Sequence, residues 1–70
     1  MLTETTALSR YVITKRRMLG ETQEDFAENC GLSVELISLI ERGQANPRMD
    51  TLAKIAAYLN VSISEMLQDS

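Results

Sequence analysis

One stretch of the chain, from Thr22 to Gly43, restricts the fold more than any other. Its residues predict two short helices joined by a tight turn at Gly31, because a glycine that follows a helical pattern commonly ends a helix. The small residue Ala27 lies four positions before this glycine, and the branched residue Ile37 lies six positions after it. This spacing predicts two helices that cross closely at a steep angle, with the outer face of the second helix exposed.

The length of 70 residues predicts a single domain spanning residues 1–70. A core of this size contributes only about 3–5 kcal/mol, so association with a second copy would add stability. Hydrophobic residues make up 44% of the chain, which is typical of a folded domain. The chain has one cysteine, Cys30, no apolar run as long as a membrane span and no N-terminal signal pattern. These features predict a cytoplasmic protein without disulfides and without membrane insertion.

Helical periodicity and the positions of Gly20, Gly31 and Gly43 predict an all-α domain of five short helices. The predicted helices run from about Thr6 to Leu19, from Gln23 to Cys30, from after Ser33 to about Arg42, from Met49 to Leu59, and onward from Ser62. The second and third helices form a helix-turn-helix over about residues 22–43. The last helices, over about residues 49–69, complete the core. The predicted N-terminal cap residues are Thr22, Ser33 and Ser62.

Two charged residues interrupt apolar helix faces. Arg16 lies on the face of the first helix that carries Val12 and Leu19, and Glu41 lies four residues after the inward-facing Ile37. Burial of either charge alone would be costly, whereas burial of an opposite pair with hydrogen bonds is tolerated. We therefore predict an ion pair between Arg16 and Glu41. The alternative is that both side chains reach the rim of the domain and stay solvated.

The helix-turn-helix and the segment after it carry a specific pattern. Its residues are Gln23, Ala27, Gly31, Leu32, Ser33, Ile37, Ser38, Ile40, Glu41, Arg42 and Gly43, then Asn46 and Pro47, then Thr51, Leu52, Ile55, Ala56, Leu59, Val61 and Ser62. Over about residues 8–67 the chain resembles the phage repressor, Cro and xenobiotic-response-element (XRE) family. The resemblance implies a five-helix lambda-repressor-like domain that binds operator DNA as a two-fold homodimer, with the third helix in the major groove. It also implies a buried ion pair at Arg16 and Glu41.

The same resemblance implies which surfaces contact DNA and a second copy. The expected DNA-binding residues are Thr22, Gln23, Ser33, Val34, Glu35, Ser38, Leu39, Arg42, Gln44 and Asn46. The expected dimer-interface residues are Tyr58, Ile63, Met66 and Leu67. Gln23 begins the second helix, where its side chain and the free backbone N–H groups can contact a phosphate. Arg42 is a second phosphate candidate, and simple solvation is the alternative for both residues.

The outward face of the third helix departs from the family pattern, which commonly places Gln, Arg, Lys, Asn or Thr there. No side chain on this face can make a bidentate contact to guanine or adenine. Val34 or Leu39 could contact a thymine methyl group, Glu35 could accept from a cytosine amino group, and Ser38 could serve a phosphate or a base. Readout would then depend on methyl contacts and DNA shape. The alternative is that Val34, Leu36 and Leu39 form an apolar patch for a protein partner.

Charge and residue content separate the remaining function classes. The net charge of −3 opposes nucleic-acid binding mildly, although Lys15, Arg16 and Arg17 cluster in the first helix. The chain has no histidine, no metal-ligand spacing and no phosphate-binding glycine loop. We therefore expect that the protein is not an enzyme and that it binds neither a metal nor a cofactor. The sequence favours a dimeric transcriptional repressor, and the alternative is a protein-interaction module of the same fold, such as an antirepressor or an antitoxin-like protein.

Overall fold

The computed structural model describes residues 4–68, and side chains from residue 7 onward. Its helices are α1 (Glu4–Met18), α2 (Gln23–Cys30), α3 (Val34–Glu41), α4 (Met49–Leu59) and α5 (Ile63–Met66). No strand occurs among these described residues. The all-α, five-helix prediction is therefore confirmed. The first helix begins earlier than predicted, at Glu4, and residue 69 of the predicted C-terminal segment lies outside the described residues.

The N-terminal caps form as the local sequence predicts. The Thr22 hydroxyl accepts a hydrogen bond from the backbone N–H of Asp25 at 3.0 Å, and the Asp25 carboxylate accepts one from the Thr22 N–H at 3.3 Å. Ser33 and Ser62 cap α3 and α5 in the same way through single hydroxyl contacts. These contacts satisfy backbone donors that have no partner inside the helix, and so they fix where each helix begins.

The turn between α2 and α3 depends on a left-handed residue. Gly31 has φ of 75°, a left-handed backbone conformation that is energetically unfavourable for residues with a Cβ. The Leu32 N–H then donates to the Ala27 carbonyl at 2.9 Å, which closes the last turn of α2 and redirects the chain. Asn60 plays the equivalent role after α4, with φ of 59°. The turn is short, so α3 crosses α2 at once and presents one face outward.

A single hydrophobic core joins all five helices. Its buried members are Leu8, Val12, Phe26, Ala27, Cys30, Ile37, Ile40, Leu52, Ile55, Ala56 and Met66. α3 packs against α1 and α2, α4 packs against α2, and α5 packs against α1 and α4. The rings of Phe26 and Tyr58 meet edge to face with centroids 5.6 Å apart. This packing holds α3 by its inner face only.

One predicted core residue lies at the surface. Leu19 shares the periodicity of Leu8 and Val12, but its side chain is 51% exposed. Leu19 lies between the last residue of α1, Met18, and the turn at Gly20, which has φ of 70°. Its side chain lines an apolar surface groove and does not enter the core. The prediction that Leu19 faces the core is therefore wrong.

Candidate nucleic-acid interface

Side chains from the start of α2 and from α3 together line a groove of about 500 Å³ on the outer face of the helix-turn-helix. Its lining residues are Gln23, Val34, Glu35, Ser38, Leu39 and Arg42. All six were predicted from the sequence as DNA-contacting residues. The structure thus places the predicted reading residues and two predicted phosphate-contacting residues around one concave surface.

The outer face of α3 is exposed because its inner face is fully used by the core. Ile37 and Ile40 are buried at 0% and 1% exposure, whereas Leu39 is 36% exposed. Glu35 is exposed, and within residues 4–68 its carboxylate has no hydrogen-bond or ion-pair partner. Val34 is half-buried beside it. The face therefore offers one unpaired carboxylate together with apolar side chains.

Gln23 is held in place by a contact that the sequence did not predict. Its Nε2 donates to Oε1 of Glu41 at 3.0 Å, across the gap between the start of α2 and the end of α3. An amide nitrogen carries two N–H groups, so one remains to donate to an external acceptor. The side chain also lies at the N-terminus of a helix, where backbone N–H groups favour anions.

The predicted pair of Arg16 and Glu41 is present and has two hydrogen bonds. Arg16 Nε donates to Glu41 Oε2 at 2.6 Å and Nη2 donates to Oε1 at 3.0 Å. The two side chains are 15% and 6% exposed. Nη1 of Arg16 also donates to the backbone carbonyl of Glu21 at 2.9 Å. The pair joins α1 to the end of α3, and through Glu41 it joins both to Gln23.

Burial and hydrogen bonding act in opposite directions on Glu41. Burial of the carboxyl group raises its pKa, but the hydrogen bonds from Arg16 and Gln23 and the positive charge of Arg16 outweigh burial. The pKa of Glu41 therefore lies below its ordinary value. The carboxylate stays ionised at neutral pH and keeps accepting the hydrogen bond that holds Gln23.

Arg42 and the four predicted DNA-contacting residues outside the groove lining are exposed. Arg42 is exposed, and its Nε donates weakly to the Ser38 carbonyl at 3.4 Å, which leaves the other guanidinium N–H groups without a partner in the described part of the chain. Gln44 and Asn46 are exposed on the loop that follows. The hydroxyl groups of Thr22 and Ser33 act as acceptors in their caps, and each retains its own O–H for another acceptor.

The four predicted dimer-interface residues differ in accessibility. Met66 has 0% exposure in the single chain and belongs to its core. Its side chain is therefore not available to a partner, and that part of the prediction needs correction. Tyr58 packs on Phe26 and donates its hydroxyl hydrogen to Glu21. Ile63 and Leu67 are half-buried, so they retain some surface for a partner.

Two features of the surface were missed from the sequence. The first is a polar cluster in which Asn29 Nδ2 donates to Glu21 Oε2 at 3.3 Å and to the Tyr58 hydroxyl at 3.1 Å. The hydrogen bond to Glu21, together with burial, raises the pKa of Tyr58. The second is an apolar groove of about 330 Å³ that includes Met18 and Leu19. Neither has a local sequence signal, because each joins segments that are distant along the chain.

The alternative of an apolar patch on α3 receives less support from the packing. Val34 and Leu36 are both half-buried and packed against the core. Leu39 is then the only exposed large hydrophobic residue of the three. A single exposed leucine is ordinary on a protein surface and marks no interface by itself.

Two negative observations apply to residues 4–68. None of their helices combines the length and the apolar character needed to cross a membrane. In the same residues, no group of three or more His, Cys, Asp or Glu side chains is placed to hold a metal ion.

Comparison with known proteins gives a consistent result. The Helix-turn-helix family model HTH_3 matches residues 12–66. An uncharacterized HTH-type transcriptional regulator of Haemophilus influenzae is 38% identical over 83% of this chain, which spans 59% of that relative's length. The cryptic phage CTXphi transcriptional repressor RstR of Vibrio cholerae is 35% identical over 74% of this chain and 46% of its own length. These relatives are named as regulators and not as enzymes.

A solved structure shows the same architecture. The hypothetical transcription factor NHTF from Neisseria superposes with a TM-score of 0.84 at 30% identity, over 91% of this chain and 74% of its own. The family match covers most of the chain, and the helix-turn-helix, the groove and the ion pair all lie within it. The chain therefore belongs to the XRE-type helix-turn-helix family.

Proposed function

We propose that the chain is a sequence-specific DNA-binding transcriptional regulator of the cytoplasm that inserts α3 into the major groove. The observation that carries this proposal is the groove on the outer face of α3, which gathers Val34, Glu35, Ser38 and Leu39. Gln23 and Arg42, the two proposed phosphate-contacting residues, line the same groove. A helix held by its inner face, with its outer face free, has the geometry that major-groove recognition requires.

Phosphate contacts supply most of the affinity in this proposal. Gln23 and Arg42 both line the groove, and both carry N–H groups that remain open to an acceptor. A net charge of −3 means that no general basic field adds to these contacts. Binding should therefore weaken as the salt concentration rises, because each phosphate neutralised by a cationic side chain such as Arg42 releases a counterion.

The proposal includes a homodimer that acts as a repressor. A single domain of this size is marginally stable alone, and a two-fold dimer reads two half-sites with one face. Ile63 and Leu67 provide the accessible apolar part of the expected interface. The repressor role is supported by the similarity to the phage repressor RstR. Sedimentation of the free chain as a monomer at micromolar concentration would contradict the dimer.

The test of DNA binding is in vitro selection from a random duplex library at low salt. We expect enrichment of an inverted repeat whose half-sites are about 10 bp apart. Glu35→Ala and Leu39→Ala should each change the enriched sequence, while Glu28→Ala, which removes an equal charge from outside the groove, should not. No enrichment over random DNA, or unchanged selection by both groove variants, would refute the proposal.

A second candidate function is supported by the apolar groove at the end of α1. Met18 and Leu19 are 73% and 51% exposed there, beside Tyr58 and Leu59. A partner protein could cover this surface, as in an antirepressor or antitoxin-like module that has lost DNA reading. This alternative predicts no DNA selectivity at any salt concentration, and so the selection experiment distinguishes it from the first proposal.

A further inference from the structure

We propose that the groove on α3 reads a cytosine and binds it more tightly when the base carries a 5-methyl group. This inference rests on the proposed DNA binding and adds the base that the groove recognises. It is carried by the juxtaposition of one unpaired carboxylate, Glu35, with two apolar side chains, Val34 and Leu39, in one concave surface.

The base edges of the major groove differ in the chemistry that meets a carboxylate. Cytosine presents an amino donor, whereas guanine presents only acceptors and thymine presents a carbonyl acceptor beside its methyl group. Adenine presents an amino donor next to an acceptor nitrogen. An ionised carboxylate only accepts hydrogen bonds, so it pairs with the cytosine amino group and repels the thymine carbonyl. Glu35 therefore selects cytosine over thymine.

The apolar side chains favour a methyl group at C5 of the same base. The C5 position of a pyrimidine lies next to the exocyclic group at C4, so a methyl there adjoins the atom that Glu35 contacts. Val34 precedes Glu35, and Leu39 follows it by four residues, one helical turn along the same face. The base that offers an amino donor beside a methyl group is 5-methylcytosine. The groove matches both of these features.

This assignment also explains the absence of the usual reading residues. Glutamine, asparagine and arginine donate hydrogen bonds to purine edges, and a pyrimidine amino group offers no acceptor for them. In this groove the acceptor is Glu35, which has no competing partner among residues 4–68. Arg42 follows Glu35 by seven residues along the chain, and its Nε donates to the Ser38 carbonyl.

The test uses four versions of the selected duplex that separate the methyl group from the amino group. Each cytosine of the half-site is replaced in turn by 5-methylcytosine, uracil or thymine, with the matching purine opposite. Affinity is measured by fluorescence anisotropy at one fixed salt concentration. At the position read by the groove, the methyl group should raise affinity about threefold to fourfold, as expected for burial of one methyl group. Replacing the amino group with a carbonyl should lower affinity about tenfold or more.

Two variants assign the two effects to their side chains. Leu39→Ala leaves Val34 as the remaining apolar contact, so it should reduce the gain from the methyl group and keep the preference for cytosine over uracil. Glu35→Gln should reduce the preference for cytosine over uracil, because an amide can also donate to a carbonyl, and should keep the gain from the methyl group. Thermal melting of both variants checks that they remain folded, as expected for exposed positions.

The outcomes separate this inference from the proposal on which it rests. If methylation leaves affinity unchanged or lowers it at every cytosine of a selected site, the inference is wrong and the DNA-binding proposal stands. If Glu35→Gln leaves the cytosine preference intact, Glu35 is not the reader and the inference is also wrong. If no duplex is selected at all, both proposals fail together.

Discussion

Replacing Arg16 with methionine tests how the buried ion pair supports the helix-turn-helix. Methionine keeps a similar length of apolar chain and removes the guanidinium group. The variant leaves the Glu41 side chain, which is 6% exposed, with Gln23 as its remaining side-chain donor. The hydrogen bond from Arg16 to the Glu21 carbonyl, 2.9 Å long, is lost as well.

The cost of this change can be bounded in two ways. Removing one partner of a buried ion pair typically costs about 3–5 kcal/mol. The stranded carboxylate can also escape by binding a proton, which at pH 7 costs about 3.7 kcal/mol for a carboxyl group of ordinary pKa near 4.3. The two bounds agree on a loss of about 3–4 kcal/mol at pH 7. That loss is comparable with the whole stability of about 3–5 kcal/mol expected for a domain of this size.

The loss of stability in Arg16→Met should become smaller as the pH falls. The direction of this pH dependence follows from the pKa of Glu41. In the wild-type protein this pKa lies below its ordinary value, so the stabilisation is present above about pH 4.3 and is lost as the pH falls through the folded-state value. In Arg16→Met, burial without the guanidinium raises the pKa, so the folded state binds the proton more readily than the unfolded state. The difference in free energy of unfolding between the wild-type protein and Arg16→Met should therefore fall to about 1–2 kcal/mol at pH 5.

The assay is urea unfolding followed by circular dichroism at pH 7 and pH 5, with a constant concentration of a stabilising osmolyte where the folded baseline is short. Glu41→Gln alone and the double variant Arg16→Met/Glu41→Gln are the matched controls, since neither retains the stranded carboxylate. The double variant should be more stable than Arg16→Met at pH 7, and its deficit should not depend on pH over this range. A deficit for Arg16→Met below about 1 kcal/mol at pH 7, or one that grows at pH 5, would refute the reasoning.

Four further predictions concern single residues. Thr22→Ala removes the cap of α2 and should cost about 1 kcal/mol in urea unfolding; an unchanged midpoint would show that the cap contributes nothing. Gly31→Ala meets no atom within 4 Å, so its cost should be backbone strain alone, about 1–2 kcal/mol, and a stabilised variant would contradict the left-handed turn. Burial, with a contribution from a nearby carboxylate, raises the pKa of Cys30 to about 11, so a thiol reagent at pH 8 should react only as fast as the domain opens, and a rapid reaction of the native protein would contradict this. Arg42→Gln should reduce the slope of log affinity against log salt by about 1, and an unchanged slope would exclude a phosphate contact.

The helix boundaries could be predicted because the signals that set them are local. Thr22 and Asp25 are three residues apart, and their reciprocal hydrogen bonds need no tertiary structure. Gly31 and Asn60 end α2 and α4 through contacts within one helical turn. Leu19 shows the limit of this reasoning, because periodicity continued one residue beyond the helix that produced it.

Long-range contacts were predictable only where they solved a physical problem visible in the sequence. A charge on an apolar face needs a partner, and Arg16 and Glu41 were the two such charges of opposite sign. Glu21 and Tyr58 are 37 positions apart, and both are residue types that commonly lie at the surface. Nothing in either local segment therefore signals their hydrogen bond. The burial of Met66 likewise depends on how α5 docks, which a segment of four residues does not determine.

In the candidate site, too, the features set by local sequence were predictable, whereas a contact set by tertiary packing was not. The composition of the α3 face followed from helical periodicity once Ile37 and Ile40 were assigned to the core. The contact between Gln23 and Glu41 did not follow, because it depends on how closely the start of α2 approaches the end of α3. That contact links the ion pair to the edge of the reading groove, so the stability of the pair and the position of a phosphate donor are coupled.

The most direct test of the account is a map of the DNA-contacting surface in solution. A nitrogen-labelled chain is titrated with the selected duplex, and backbone amide shifts are followed by NMR. We expect the largest shifts to cluster at Gln23, along the outer face of α3 and at Arg42. Largest shifts around Met18, Leu19 and Leu59, with an unperturbed α3, would contradict the claim that this helix reads DNA.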